Sequence, residues 1–292
     1  MATVYPTATG VYSTRTWNND ADGSAYGMVP QAGDTVLANG TTVTVDQNVT
    51  VVELATRAGT TAAAGGGFTT ADDGLTITAN IAAGTTVGLT FSGASPNVLT
   101  VVGNITGGGS NNAYGTTNTS TGTIDFTGNS TGGSVSGTQG LRNSSSGTVN
   151  QTGNATGGSG SNAAGTTNTS TGIFVVTGNS TGGSGSGAHG ASNSNAAGRM
   201  TLTGTATGGT NNTAHGIYGA STPSTGWARV GKSAVGTTGI NGHSGFVQFI
   251  DPDVASVVEI YDTAFATHAL STATAGGGGL LRHPGMAGGM NG

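Results

Sequence analysis

Apolar residues recur along the chain at a fixed interval and predict a stack of β-strands. Between residues 99 and 202, pairs of mostly apolar residues separated by one position return every 25 or 26 residues. Because side chains two positions apart on a strand share a face, these pairs are expected to point inward and to stack on one another. The predicted core ladder consists of Leu99, Val101, Ile124, Phe126, Val149, Phe174, Val176, Met200 and Leu202.

Glycines recur at two positions of the repeat, which we call the first and second glycine marks, and both keep the same phase as the apolar pairs. A Gly-Asn-x-Thr-Gly-Gly segment begins at Gly103, Gly128, Gly153 and Gly178, and a second glycine recurs at positions 115, 140, 165, 190, 216 and 242. A fixed period of this length indicates a solenoid in which each repeat forms one coil. The sequence therefore predicts an all-β, single-stranded parallel β-helix (β-solenoid) with coils of about 25 residues.

The polar positions of the repeat suit the outside and the corners of such coils. Thr127, Thr152 and Thr177 alternate with the apolar positions and are expected on the outer face. Asparagines at positions 118, 143, 168 and 193 form one column, which predicts a structural ladder at a corner. Small residues at positions 130, 155, 180 and 206 leave little bulk inside, so the solenoid should be slender.

The repeat divides the chain into four predicted regions. Residues 1–29 form an N-terminal arm or cap, and residues 30–98 form irregular lead-in coils. Residues 99–245 form the regular repeats, and residues 246–292 form C-terminal strands followed by a glycine-rich docking tail. The lead-in region contains short β-like runs at Thr35–Leu37, Thr42–Val45, Val49–Leu54, Leu75–Ile81 and Val87–Phe91, and the last region contains two, at Phe246–Ile250 and Val257–Tyr261.

Both ends differ from the middle, and we expect them to cover the terminal coils or to dock on neighbouring chains. A solenoid leaves unpaired edge groups at its last coil, which a cap or a partner must cover. The N-terminal arm is rich in aromatic residues, and the tail contains a short apolar run. The candidate docking residues are Tyr5, Tyr12, Trp17, Leu280, Leu281 and Arg282.

Composition narrows the classes of function. The chain has 57 glycines, 7% charged residues, a formal net charge of −5 and no cysteine. Seven Lys and Arg residues provide no basic face, so no nucleic acid partner is expected. No stretch is long and apolar enough for a membrane span. The first ten residues resemble no secretory signal, and we therefore expect synthesis in a host cytoplasm.

The acidic residues do not suit an enzyme. Polysaccharide hydrolases need at least two carboxyl groups on one face, whereas Asp125 is the only acidic residue between positions 99 and 250. Asp251 and Asp253 could hold Ca²⁺, but a solvated turn is the favoured interpretation. We expect no catalytic residues, no metal site and no cofactor.

One column of the repeat is the candidate contact surface. The residue before the second glycine mark reads Tyr114, Gln139, Ala164, His189, His215 and Asn241 in successive copies. His189 and His215 could share a metal, but two histidines without a carboxylate make a poor site. The contact column, Tyr114, Gln139, His189, His215 and Asn241, is better explained as a surface for another subunit or for a glycan.

The Gly-Asn-Ser-Thr-Gly-Gly-Ser-Gly-Ser and Thr-Gly-Asn repeats resemble those of β-helical appendage proteins of tailed bacteriophages, namely tail fibres, spikes and capsid decorations. The lead-in sequence Val-Pro-Gln-Ala-Gly-Asp-Thr-Val at 29–36, followed by Thr-Val-Thr-Val-Asp at 42–46, is similar to the start of many such proteins. The resemblance covers most of residues 29–230 and transfers no catalytic residues. It implies a homotrimer with a role in the virion.

The favoured expectation is a non-enzymatic virion protein, a capsid decoration or cement protein whose main partner is the major capsid protein. The alternative is a tail fibre or tailspike adhesin that binds glycans of the host surface. A bacterial surface adhesin is less favoured because no signal peptide is visible. An ice-binding protein is also less favoured, because asparagine interrupts the threonine array of the outer face.

Overall fold

Three short strands per coil build the regular part of the chain. The computed structural model describes residues 2–194, 198–204, 206–211, 214 and 216–219, together with the strand segments 227–230, 234–235, 247–249, 257–260 and 280–282. Parallel coils of about 25 residues stack into an all-β solenoid of about 6 turns, as the periodicity predicts.

The strands are short because glycine and polar residues interrupt every apolar run. A 3₁₀ turn at Tyr12–Thr14 lies between the second and third strands. In chain order the strands are β1 (Thr3–Pro6), β2 (Gly10–Val11), β3 (Trp17–Asn19), β4 (Thr35–Leu37), β5 (Thr42–Thr44), β6 (Val49–Ala55), β7 (Gly67–Thr70), β8 (Leu75–Ala82), β9 (Leu89–Phe91), β10 (Val98–Val102), β11 (Ile105–Thr106), β12 (Thr116–Asn118), β13 (Thr123–Thr127), β14 (Ser130–Thr131), β15 (Leu141–Asn143), β16 (Thr148–Thr152), β17 (Ala155–Thr156), β18 (Thr166–Asn168), β19 (Ile173–Thr177), β20 (Ser180–Thr181), β21 (Ala191–Asn193), β22 (Arg199–Leu202), β23 (Ala206–Thr207), β24 (Ile217–Gly219), β25 (Trp227–Val230), β26 (Ala234–Val235), β27 (Val247–Phe249), β28 (Val257–Ile260) and β29 (Leu280–Arg282).

Two sheets enclose the core. In the part of the chain that the structure describes, the second sheet contains β2, β5, β7, β9, β12, β15, β18, β21, β24 and β27, and the first sheet contains the other 19 strands. Each regular coil adds a five-residue strand and a two-residue strand to the first sheet, then a three-residue strand to the second. Neighbouring coils lie about 4.8 Å apart, the spacing of hydrogen-bonded strands.

The predicted core ladder is confirmed. Leu99, Ile124, Val149, Phe174 and Met200 are direct cross-strand partners in successive coils, and each is fully buried. The second ladder pairs Val101, Phe126, Gln151, Val176 and Leu202 in the same manner. Successive copies of the repeat therefore lie directly on one another.

Gln151 places a polar group inside this apolar column. It is only 1% exposed. Its Oε1 accepts a hydrogen bond from Thr166 Oγ1 at 2.8 Å, and its Nε2 donates to Asn154 O at 2.9 Å and to Ser130 Oγ at 3.0 Å. Ser130 Oγ and Thr166 Oγ1 also lie 2.8 Å apart. We call Gln151, Ser130 and Thr166 the polar trio; its mutual hydrogen bonds offset the cost of burying these groups.

The Gly-Asn segment forms a corner that requires glycine. Gly128 and Gly153 have φ values of +146° and +139°, which residues with a side chain rarely adopt. A Cβ atom on Gly153 would lie 2.0 Å from the carbonyl oxygen of Gly128 in the preceding coil. The coils can approach to strand spacing only because this column lacks side chains.

Two asparagine ladders support the corners. On the outside, the backbone N–H of Asn154 donates to Asn129 Oδ1 and that of Asn179 to Asn154 Oδ1, both at 2.9 Å. Inside the second sheet, asparagine Nδ2 atoms donate to the carbonyl oxygen of a glycine that closes the same turn. This inner ladder, which the sequence predicts as structural, consists of Asn118, Asn143, Asn168 and Asn193, all buried.

The N-terminal region caps the stack. Strand β1 pairs in parallel with β4 on one side and antiparallel with β3 on the other. Tyr12 and Trp17 are each 1% exposed and form an edge-to-face pair with ring centroids 5.0 Å apart. Burying two large aromatic rings stabilises this end by several kcal/mol, on the order of 1.5–3 kcal/mol per ring. The predicted arm is therefore partly a coil of the solenoid, because β1 and β2 extend both sheets.

Two buried carboxylates stabilise the N-terminal cap by accepting hydrogen bonds. Asp20 accepts hydrogen bonds from the backbone N–H groups of Thr60, Thr61 and Ala62 at 2.6–2.9 Å. Burial raises the pKa of Asp20, but these hydrogen bonds outweigh the desolvation and leave its pKa below the usual value.

Asp34 joins the first residues of the chain to the loop before β4. It accepts hydrogen bonds from Tyr26 Oη and from the backbone N–H groups of Ala2 and Gln31. Burial raises the pKa of Asp34, but the hydrogen bonds lower it by more. The pKa of Asp34 is therefore also below the usual value.

The cap is expected to open in acid. Because the pKa values of Asp20 and Asp34 are lower in the folded state, their stabilisation is present above the unfolded-state pKa and is lost as the pH falls below about 4. With Trp227→Phe as background, Trp17 emission should shift to the red over this pH range. Asp20→Asn and Asp34→Asn should open the cap at neutral pH, whereas Asp22→Asn, at an exposed turn, should not; an unchanged emission in both buried-site variants would contradict this assignment.

The last described strands continue the stack. Strand β27 pairs in parallel with β24, and β28 pairs with β25, in the two segments predicted as C-terminal strands. The backbone of Leu280–Arg282 forms β29, which pairs in parallel with β28. The apolar run of the tail thus adds to the first sheet.

Candidate interaction surface

The predicted contact column forms a stack with one residue per coil. The N–H groups of Gly115, Gly140 and Gly165 donate to the carbonyl oxygens of Gln139, Ala164 and His189 in the next coil, at 3.0, 3.2 and 3.1 Å. His215 and Asn241 lie outside the described residues. The glycine after each column member allows this close approach, because a Cβ atom there would contact the backbone of an adjacent coil.

The column is only partly accessible. Tyr114 and Gln139 are half-buried, whereas Ala164 and His189 are 3% and 7% exposed. Tyr114 Oη donates to Asn112 Oδ1 at 2.9 Å, and Gln139 Nε2 donates to Gly137 O at 2.6 Å. These hydrogen bonds fix the two accessible side chains before any partner binds.

Side chains on the outer face of the second sheet pack against the column, and the sequence prediction did not include them. The guanidinium of Arg142 lies 4.5 Å from the centroid of the Tyr114 ring, in cation–π geometry. The His189 and Tyr218 rings are stacked, with centroids 4.3 Å apart and planes within 2°. In both pairs, a column residue packs against the outward side chain of the next coil.

The outward positions of the second sheet form a column of their own. Its members in the regular repeats include Thr117, Arg142, Thr167, Ser192 and Tyr218, which are direct cross-strand partners. Each lies two residues after the second glycine mark, and this phase could have identified them in the sequence. Because the residue type at this position of the repeat varies between coils, the position forms no repeated motif in the sequence.

Arg142 forms no ion pair with any of the described residues. Arg57 and Glu53 form the salt bridge found among the described residues. Asp125, the carboxylate of the regular repeats, lies on the first sheet, where its Oδ1 accepts a hydrogen bond from Asn150 at 2.8 Å. Arg142 Nε is buried without an acceptor, and so is Thr167 Oγ1 in the adjacent strand.

The predicted docking residues have different positions. Tyr12 and Trp17 belong to the core of their own chain, so the expectation that they dock on a neighbour needs correction: in this fold they anchor the cap. Tyr5 is half-buried against a small cluster that includes Leu37 and Ala55. Leu280, Leu281 and Arg282 form β29, and their side chains lie outside the described part of the structure.

A glycine-lined groove runs across several coils. It has a volume of about 470 Å³ and is lined by Thr-Gly-Gly-Ser segments of successive coils, including Gly132, Gly133, Gly157 and Gly158. A Cβ atom on Gly158 would lie 2.0 Å from the carbonyl oxygen of Gly133, so the stacking of the coils explains these glycines without a ligand.

The outer face of the first sheet has two regular threonine columns, one in its five-residue strands and one, Thr106, Thr131, Thr156, Thr181 and Thr207, in its two-residue strands. Thr127, Thr152 and Thr177 are exposed and stack on one another. The column on one side of it reads Asp125, Asn150 and Val175, and the asparagine ladder on the other side separates it from the second threonine column, so the hydroxyls form no continuous flat array on this face. Ice binding therefore remains the less favoured alternative.

Within the described ranges, no group of three or more His, Cys, Asp or Glu residues could hold a metal ion. None of the described segments is a helix that could cross a membrane. No family model matches the chain, and neither a curated protein nor a solved structure matches it.

Proposed function

We propose that the chain is a non-enzymatic structural protein of a bacteriophage virion, and specifically a decoration or cement protein on the capsid. The observation that supports this most is the direct stacking of near-identical coils, in which Ile124, Val149 and Phe174 form one continuous internal column. Such stacking makes a stiff rod that presents the same backbone groups at every level, which suits a passive surface element. The resemblance of the repeats to phage appendage proteins supports a location in the virion.

The surface chemistry favours a structural role. Asp125 is bound to Asn150 on a face that carries threonine, asparagine and aliphatic side chains, an arrangement without the paired carboxyl groups of a glycosidase. The proposed partner in the virion is the major capsid protein.

Assembly as a homotrimer is part of the proposal. The core holds about two large side chains per coil, and Val52, Val102 and Ile173 are 41%, 37% and 36% exposed on the outer side of the first sheet. Burying this apolar flank against two further copies of the chain would add buried apolar surface, of which a slender rod has little on its own.

The second candidate function is a tail fibre or spike adhesin that binds host glycans. The observation that favours it is the Arg142–Tyr114 pair, a cation and an aromatic ring on an otherwise uncharged side of the rod. The two candidates predict different positions on the particle.

Two measurements test the proposal. Light scattering of the purified chain should give the mass of three 27.9 kDa chains, about 84 kDa. Cryo-electron microscopy of virions with antibody bound to the chain should place the label over the whole head. A monomer in solution would count against the trimer, and label confined to the tail vertex would replace the decoration role with the adhesin role.

A further inference from the structure

We propose that Arg142 is the centre of a binding site for acidic sugars on the outer face of the second sheet. This inference deepens the second candidate function, with which it shares the Arg142–Tyr114 pair, and it holds wherever on a particle the rod is placed. It follows from the burial and hydrogen bonding of the Arg142 side chain and from the polar groups near it.

Arg142 is a half-buried cation without a partner in the described structure. Its Nε is buried and has no acceptor, and no carboxylate lies against it. Removing part of a guanidinium from water is unfavourable unless an anion or a set of acceptors replaces the water. The Tyr114 ring supplies part of this compensation on one side of the guanidinium. Because Nε is buried, the two terminal nitrogens of the guanidinium are the donors that an anion can reach from solvent.

The neighbouring groups suit a carboxylate carried by a sugar. A guanidinium binds a carboxylate with two parallel hydrogen bonds, which fixes the orientation of the ligand. Thr167 lies one coil further along the same column and is 6% exposed; its Oγ1 is buried without a partner, so its side chain must rotate outward to meet a ligand. Gln139, which follows Tyr114 in the contact column, is half-buried, and because its Nε2 donates to Gly137 O, its Oε1 is the group that can accept a hydrogen bond from a ligand. Hydroxyl and amide groups of this kind pair with sugar hydroxyls.

An acidic sugar suits this surface better than an acidic protein segment does. Protein interfaces are anchored by large apolar or aromatic side chains that enter pockets. Of the described residues, the large apolar side chains that are exposed are Val11, Met28, Val52, Val102 and Ile173; among them Val11 lies in the outward column of the second sheet, but five coils away from Arg142. The site instead offers single polar groups at successive coils, about 4.8 Å apart, which suits a chain of polar units.

A glycan array containing uronic-acid, sialic-acid and neutral oligosaccharides tests the site. Wild-type protein should bind acidic members and leave their neutral counterparts unbound. Binding should weaken as salt is raised, because the pair is partly exposed. Arg142→Gln should weaken binding about 10- to 100-fold, the loss expected for a charged hydrogen-bonded pair, and Arg142→Lys should retain part of it.

Arg57→Gln is the matched control, because Arg57 is a paired arginine elsewhere on the rod and its loss should leave binding unchanged. Thermal midpoints of all three variants report whether the fold is intact, and Arg142→Lys keeps the charge if Arg142→Gln does not fold. Binding of neutral sugars with equal affinity, equal binding by Arg142→Gln and wild type, or binding of a polyglutamate peptide but of no acidic glycan would each overturn the proposal.

Discussion

Replacing Gly153 with alanine is expected to destabilise the solenoid by about 4 kcal/mol or more, at the upper end of single substitutions. The new Cβ would lie 2.0 Å from Gly128 O, and the residue would have to keep a φ of +139°. Backbone strain of this kind costs about 1–3 kcal/mol by itself, and the steric overlap adds to it. The coil of Gly153 would have to move away from the coil of Gly128, which breaks the ladder between β16 and β13.

Gly109→Ala is the matched control. Gly109 is exposed, and the nearest atom to a Cβ there, Ser134 Oγ, would be 3.9 Å away. Alanine at this position should leave the stability unchanged or raise it by less than about 1 kcal/mol. Denaturant unfolding of both variants, followed by circular dichroism, makes the comparison. Equal stability of the two variants would show that the corner column tolerates side chains.

The second large effect is expected at the polar trio. Gln151→Val makes the second core ladder fully apolar but removes one of the two hydrogen bonds to the Asn154 carbonyl, which keeps the bond from Ser130 N–H. It also leaves the buried hydroxyls of Ser130 and Thr166 with only each other, so that one hydroxyl proton lacks an acceptor. Leaving buried polar groups unsatisfied costs about 1–3 kcal/mol, so the variant should be less stable than the wild type despite its more apolar core.

Removing all three polar groups should restore the lost stability. In the adjacent coils, Ile105 and Ala155 flank Ser130, and Leu141 and Ala191 flank Thr166, so each position accepts an apolar residue one coil away. The triple variant Ser130→Ala, Gln151→Val, Thr166→Val should recover most of the stability that Gln151→Val loses. The exposed substitution Thr152→Val on the same strand controls for strand propensity. A triple variant that is no more stable than Gln151→Val would show that the trio contributes through packing.

The core ladder and the corner glycines could be read from the sequence because each depends on a residue type repeated in phase. Ile124, Val149 and Phe174 share a position and a character, and stacking follows from that. The asparagine column of the second sheet was predictable for the same reason.

The polar trio was not predictable, because its members come from different strands 15 and 21 residues apart. Position 166 was not assigned to the interior, since the three-residue strands of the second sheet show no apolar alternation. Arg142 and Tyr218 were missed because their column changes residue type at every coil. The burial of Trp17 in the core of its own chain could not be deduced, since the antiparallel pairing of β3 lies outside the repeat.

That antiparallel strand has a consequence for how rods could join end to end. A second rod could extend the first sheet at its N-terminal end only by pairing with β3. The outer side of β3 is already occupied, because Tyr26 N donates to Trp17 O and Asn19 N donates to Ser24 O, both at 2.7 Å. Lengthwise polymerisation into a fibre is therefore blocked at this end of the first sheet, and side-by-side association is the geometry left open to that part of the rod.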